Sequence, residues 1–308
     1  MTLWYLLLLP WLLAGLCLYP GERQASPTLT IAFVGDVMLG RRVAQYVEGD
    51  WTAAFAAVQS HLSKADLAIA NLESPLTNAP PVSDGYDLRA PPEALVALQA
   101  AGFDAVSLAN NHALDAGERG LQEMIDTLTS ANIVPLLASK RLAIDPNRAA
   151  FATHTPITIL AFDDSVNPLD VEAAAEIVAE AVDRAANAPV IVSIHWGGEY
   201  QAAPGPRQRA IAARFAQAGA AIIVGHGPHV LQRVEWIDNS LVAYSLGNFL
   251  FDQPYPLDCR WGVILHVTMR DERVVAVTAT PTVAERGRVR LARPEEAQAI
   301  LERLKLEA

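Results

Sequence analysis

Residues 29–36 read LTIAFVGD, an apolar run that closes on Gly35 and Asp36. A short continuous apolar stretch of this kind is a buried strand, and a carboxylate at its last position is delivered to the C-terminal edge of the sheet. The pattern recurs. ADLAIANLE (65–73) ends on Glu73, and FDAVSLANNH (103–112) ends on Asn110, Asn111 and His112. APVIVSIHWG (188–197) presents His195, and GAAIIVGHGPH (219–229) presents His226 and His229. Helical stretches separate these runs, over 50–62, 92–101, 118–131, 171–186 and 207–219. Strands alternating with helices predict an α/β fold. In such sheets the C-terminal strand edge is where ligands bind.

From Leu231 onward the texture changes. SLVAYSLGNFLF, WGVILHVTM and RVVAVTATPTV alternate with turns, and no long helix intervenes before 294–307. These segments predict a second, more antiparallel sheet packed against the first. In WGVILHVTM, Val263, Leu265, Val267 and Met269 share one face and His266 lies on the other.

The chain has 308 residues, 52% of them hydrophobic, enough to bury a core without cross-links. Its formal net charge of −11 and the lack of a basic stripe exclude a nucleic-acid partner. Two cysteines far apart, Cys17 and Cys259, form no disulfide framework and no cysteine-rich zinc site. Residues 3–19 (LWYLLLLPWLLAGLCLY) carry no charge. Their length sits at the short end of a membrane span, so residues 1–20 read as a single-pass anchor or a cleaved signal segment. Either reading places the body outside the cytoplasm, and the uncleaved anchor holds it at the cell membrane. Residues 21–28 then serve as a linker and 29–308 as the domain.

Asp36, Glu73, Asn111, His195, His226 and His229 all fall at apolar run ends. Oxygen and imidazole donors in this mixture suit Mn, Zn or Fe better than the all-oxygen shells of Ca or Mg. Taken singly, each histidine is more often a satisfied core residue. Convergence of six groups on one edge favours a divalent-metal site. Glu199, after HWGG, is a candidate catalytic group that contacts substrate or metal-bound water. Tyr200 beside it, Arg41 and Arg42 after the first loop, and Asn248 and Asp252 are candidates for substrate contact. His61, His154 and His266 have no company in the pattern and are structural, and Trp196 packs beneath the site.

GDVMLGRR, NLESPLT, ANNHALDAG, HWGGEY, GHGPHVLQ and YSLGNFLFDQ occur in this order between Gly35 and Gln253. Together they resemble the CapA family of poly-γ-glutamate capsule synthesis proteins, a relative of the calcineurin-like metallophosphoesterases. The resemblance implies a metallophosphoesterase-type sandwich, two mixed sheets flanked by helices after an N-terminal transmembrane helix. It implies that Asp36, Glu73, Asn111, His195, His226 and His229 surround one or two divalent ions. It also implies that His112 protonates a leaving group or orients the substrate; from the residues themselves, Asp115 could fix its tautomer. The chain departs from the parent pattern in three places. Val37 and Met38 stand where the phosphoesterases carry Asp-x-His, Glu73 is longer than their aspartate, and Gly227 replaces a histidine the family often has. Two ions, one or none are compatible with these departures.

Three functions follow as expectations. One is metal-assisted hydrolysis or transfer on an anionic polymer or its phosphorylated precursor, together with other capsule-synthesis membrane subunits. The second is a non-catalytic, membrane-anchored polymer-binding scaffold with a degenerate metal site. The third is an envelope phosphoesterase.

Overall fold

Residues 29–36 lie in the strand around which the molecule is organised. A computed structural model describes residues 28–82, 85–138, 156–186 and 188–306. Its first half runs β1 (Thr28–Val37), α1 (Arg41–Val47), α2 (Gln59–Leu62), β2 (Leu67–Leu72), α3 (Leu95–Ala101), β3 (Ala105–Ser107), α4 (Gly117–Ser130) and β4 (Val134–Leu136). There follow β5 (Thr158–Asp163), α5 (Val171–Arg184), β6 (Val190–His195), α6 (Pro206–Gln217) and β7 (Ile222–His226). The chain ends with β8 (Val234–Ile237), β9 (Ser240–Ala243), β10 (Asn248–Leu250), β11 (Trp261–Arg270), β12 (Arg273–Glu285), β13 (Arg288–Leu291) and α7 (Pro294–Leu304).

Two mixed sheets result. The first is ordered β13-β12-β11-β1-β2-β3-β4, with β10 also paired to β1; the second is β5-β6-β7-β9-β8. β1 through β4 are mutually parallel, as are β5, β6, β7 and β9. Alternation along β1 sets the layering. Leu29, Ile31 and Phe33 point between the sheets, where they meet Ile159, Ile191 and Ile222 of the second sheet. Ala32 and Val34 point outward, into a layer with Val43 of α1, Leu98 of α3 and Met124 of α4. The far face of the second sheet packs Val192 and Ile223 against α5 and α6 through Val178 and Phe215. The order is therefore helix, sheet, sheet, helix. Each fully buried aliphatic side chain in it contributes about 1.5–3 kcal/mol.

Three expectations need adjusting. The C-terminal strands build no sheet of their own. β11, β12 and β13 extend the first sheet antiparallel from β1, while β8 and β9 extend the second. Apolar alternation shows that a strand is half-buried but not which edge it joins. The single helix expected over 50–62 is broken into a 3-10 turn at Trp51–Ala54 and the short α2. Thr28, placed in the linker, is already the first residue of β1. The expected transmembrane helix lies outside the described residues, among which no helix is long and apolar enough to cross a membrane. In β11 the predicted faces hold: Val263, Leu265, Val267 and Met269 are buried, and His266 bonds the His61 carbonyl at 2.9 Å.

Candidate metal centre

The C-terminal ends of both sheets converge. Asp36 lies in register with Asn71 of β2 on one side and with Asn248 of β10 on the other. Glu73 follows β2 by one residue, on the same face as Asn71. His195 and His226 end β6 and β7 as direct register partners. His229 sits three residues on, with φ +57. A left-handed backbone is costly for a side-chain-bearing residue, of order 1 kcal/mol or more, and such strain concentrates at functional sites. Gly225 is required by packing. A Cβ there would lie 2.3 Å from Trp196 Nε1 and 2.1 Å from the Tyr244 carbonyl. The indole instead donates to that carbonyl at 2.9 Å, within the core layer that the second sheet shares with α5 and α6.

Asp36, Asn71, Glu73 and Asn248 have no exposed surface, and the three histidines are almost as deep. Asn71 Nδ2 donates to Asp36 Oδ1 at 2.9 Å and to Glu73 Oε1 at 3.1 Å. Asn110 Nδ2 in turn donates to Asn71 Oδ1 at 3.0 Å, which fixes the orientation of that amide. His229 Nδ1 lies 3.1 Å from Asp36 Oδ2 and 3.0 Å from Asn248 Oδ1. His226 Nδ1 is 3.5 Å from Asp36 Oδ1, and His195 Nδ1 is 3.8 Å from Glu73 Oε1. One ligand atom each of Asp36, Glu73 and His195 lies within 4.8 Å of the others.

Burial and charge act in opposite directions here. Burial pushes the Asp36 carboxyl up, but the neighbouring His226 and His229 imidazoles outweigh it and hold the group well below the usual range. At Glu73 burial and the neighbouring Asp36 charge add, so its carboxyl is raised well above the usual range. Burial drives His195 down to about 3. Burial opposes protonation of His229 too, yet the Glu73 and Asp36 carboxylates carry it up to about 9. Two carboxylates buried together leave one unable to ionise without a compensating cation.

The family profile described as bacterial capsule synthesis protein PGA_cap matches residues 30–253. The chain belongs to this family. Among its relatives, the capsule biosynthesis protein CapA of Bacillus anthracis is 29% identical over 87% of this chain and 70% of its own length. The PGA biosynthesis protein CapA of Bacillus subtilis is 32% identical over 75% of this chain and 66% of its own. Among solved structures, a 5'-nucleotidase precursor from Thermus thermophilus matches 90% of this chain and 58% of its own, at 16% identity and TM-score 0.45.

In this capsule-synthesis family member the donor set fits a divalent ion. Glu73 Oε2 and His226 Nδ1 are buried with no hydrogen-bond partner, an arrangement costly unless a cation uses them. Asp36, Glu73, His195, His226 and His229 would hold the ion. The resemblance-derived ligand Asn111 is exposed on the turn after β3. The buried amide is Asn110, which spends its nitrogen on Asn71 and the Leu72 carbonyl. Met38, at the position of the missing histidine, is buried core.

His112 Nδ1 lies 3.0 Å from Asp115 Oδ2, the pairing expected of an oriented imidazole, and that carboxylate also accepts Leu88 N at 3.2 Å. Glu199 is exposed, and its charge adds to those raising Glu73 and His229. Tyr200, at φ +62, accepts from Gln253 Nε2 at 3.2 Å, and Gln253 accepts from Asn248 Nδ2 at 2.9 Å. Asp252 is an anchor: its carboxylate pairs with Arg41 at 2.9 Å and accepts Arg42 N at 3.3 Å, and its side chain is buried. It therefore ties the loop after β1 to the loop after β10. Sequence reasoning overlooked Asn71 and Gln253. Asn71 had a signal, a lone amide two residues before Glu73 in an otherwise apolar strand. Gln253 had none beyond its place in the motif.

Proposed function

We propose that this chain is a metal-dependent hydrolase or transferase of the CapA type, acting outside the cytoplasm on an anionic capsule polymer or its phosphorylated precursor. The observation that carries the reading is the buried set Asp36, Glu73 and His195, with Glu73 Oε2 and His226 Nδ1 unpartnered. Manganese, zinc or iron suits these donors, and the bound ion would supply Lewis acidity to an oxyanion and to attacking water. The chain's own groups do the rest. Asp115 holds the His112 imidazole by Nδ1, leaving Nε2 to protonate a leaving oxygen or nitrogen. Glu199 and Tyr200 stand at the mouth, and Arg41 and Arg42 border it. The names of the capsule and PGA biosynthesis relatives support a polymer context. The uncharged run 3–19 supports attachment to the membrane beside other capsule-synthesis subunits.

Elemental analysis of the purified full-length chain tests the reading. Mn, Zn or Fe should be present, and His195→Ala should remove it. His112→Asn should keep the metal while turnover on phosphate-ester or γ-glutamyl substrates falls by about 10²–10⁴. Absence of metal both on purification and on titration at neutral pH would favour a non-catalytic polymer-binding scaffold. The apolar Met38 in the place of a ligand is the observation on that side.

A further inference from the structure

Beside the metal centre, arginines from three separate elements face one trough. The β12–β13 hairpin turns at Arg286 (φ +47) and Gly287 (φ +70), the paired left-handed geometry of a two-residue hairpin. That turn packs tightly on α1, since a Cβ on Gly287 would lie 2.8 Å from Tyr46 Cβ. Two adjoining cavities of about 190 and 710 Å³ flank the contact, with Tyr46, Glu285 and Arg286 as shared walls. The smaller is also lined by Arg42, Arg260, Phe251 and Gln253, and the larger by Arg288 and Arg290. The smaller lies one side chain from the metal centre: the Phe251 ring is 4.9 Å from that of His229, and Gln253 bonds Asn248.

The charges in the trough divide into two groups. Glu285 is neutralised by Arg260 at 2.9 Å and Arg290 at 3.0 Å, and Asp252 by Arg41. Arg42, Arg286 and Arg288 make no side-chain ion pair or hydrogen bond among the described residues, and all three are exposed. A chain of net charge −11 thus spends three unpaired guanidinium forks on one trough, at some cost in mutual repulsion. A planar fork is suited to bidentate pairing with carboxylate. The wall carboxylates of Asp252 and Glu285, with the overall negative charge, disfavour a densely charged polyphosphate or nucleic acid. They leave room for a chain bearing one carboxylate per unit.

We propose that this trough binds an extended polycarboxylate and leads it past Phe251 and Gln253 to the metal centre. Delivery to the centre rests on the function proposed above; binding in the trough does not. The test is fluorescence anisotropy with a labelled γ-glutamate oligomer and the full-length chain at low ionic strength. The triple variant Arg42→Gln, Arg286→Asn, Arg288→Gln retains the hairpin, because asparagine tolerates the left-handed turn position. It should weaken binding about tenfold or more while leaving metal content unchanged, and wild-type affinity should fall with added salt. A control triple on other faces, Arg119→Gln, Arg184→Gln, Arg273→Gln, should change affinity little. His195→Ala should bind the oligomer as the wild type does, which separates failure of the trough from failure of the metal reading. No binding by the wild type, equal loss in both triples, or tighter binding of polyphosphate than of the oligomer would each overturn the proposal.

Discussion

At Asn71 one amide nitrogen serves two carboxylates that would otherwise repel each other across the site. Its oxygen is fixed in turn by Asn110, whose own oxygen accepts the His112 backbone N–H at 3.1 Å. The two acids are therefore positioned by a relay that reaches back to β3, and the relay is set before any ligand arrives. Partners of this kind commonly tune metal affinity by about 10–100-fold. Asn71→Leu preserves the volume, removes the donor, and should weaken Mn or Zn binding by about that factor. Asn111→Ala, on the exposed side of the same turn, should leave the affinity within about twofold, as surface changes away from a site usually do. Calorimetric titration of both variants decides between the two amides. A large loss with Asn111→Ala and none with Asn71→Leu would restore Asn111 as the ligand.

At the level of the element, β1 changes partners along its length. It pairs β11 through Phe33 and β10 from Asp36 onward, and the exchange occurs beside Gly35. A Cβ on Gly35 would lie 1.9 Å from the Gly247 carbonyl oxygen, which itself accepts Asp36 N at 2.9 Å. Neither strand can retreat without breaking the bond that seats Asp36. Gly35→Ala should therefore cost about 3 kcal/mol or more in denaturant unfolding, near the upper end of overpacking penalties. Gly198→Ala, where the nearest contact is 3.4 Å at the flexible Gln201 side chain, is the matched control and should stay within about 0.5 kcal/mol. Equal stability of the two variants would refute the strand-exchange account. The same junction shows what was legible. The apolar run ending in Gly35–Asp36 marked a buried strand and its carboxylate correctly, because burial on both faces leaves a compositional trace. The choice of β11 and β10 as neighbours left none, because pairing is decided by residues more than two hundred positions away. The candidate site divides along the same line. His195, His226 and Asp36 stand at strand ends and were visible, whereas Asn110 and Asn111 are neighbours separated only by a turn's direction.

Across the whole molecule, the proposed ion would join the two sheets, because Asp36 and Glu73 come from the first and His195 and His226 from the second. Metal binding should then appear as global stability. At free metal near 100 times Kd the gain is about 2.7 kcal/mol, or roughly 4–5 °C in the midpoint for a chain of this size. Protons compete for the same groups. Glu73 is raised when folded, so between its unfolded value near 4.5 and its folded one the native state holds the extra proton and stability falls as pH rises. His229 contributes stability that is complete below about 6.5 and lost as pH rises towards about 9. His229 thus makes the metal-free chain less stable from neutral pH upward, and a bound ion would replace its proton, so the metal-dependent gain should grow over that interval. Glu73→Gln removes a carboxyl whose ionisation burial and the Asp36 charge oppose, so the metal-free variant should match or exceed the metal-free wild type at pH 8. It should also lose most of the metal-dependent gain. Thermal unfolding with and without Mn or Zn, at pH values from 6.5 to 9, measures all of these differences. A gain that does not vary with pH and survives Glu73→Gln would place any bound ion elsewhere and leave the junction of the two sheets without one.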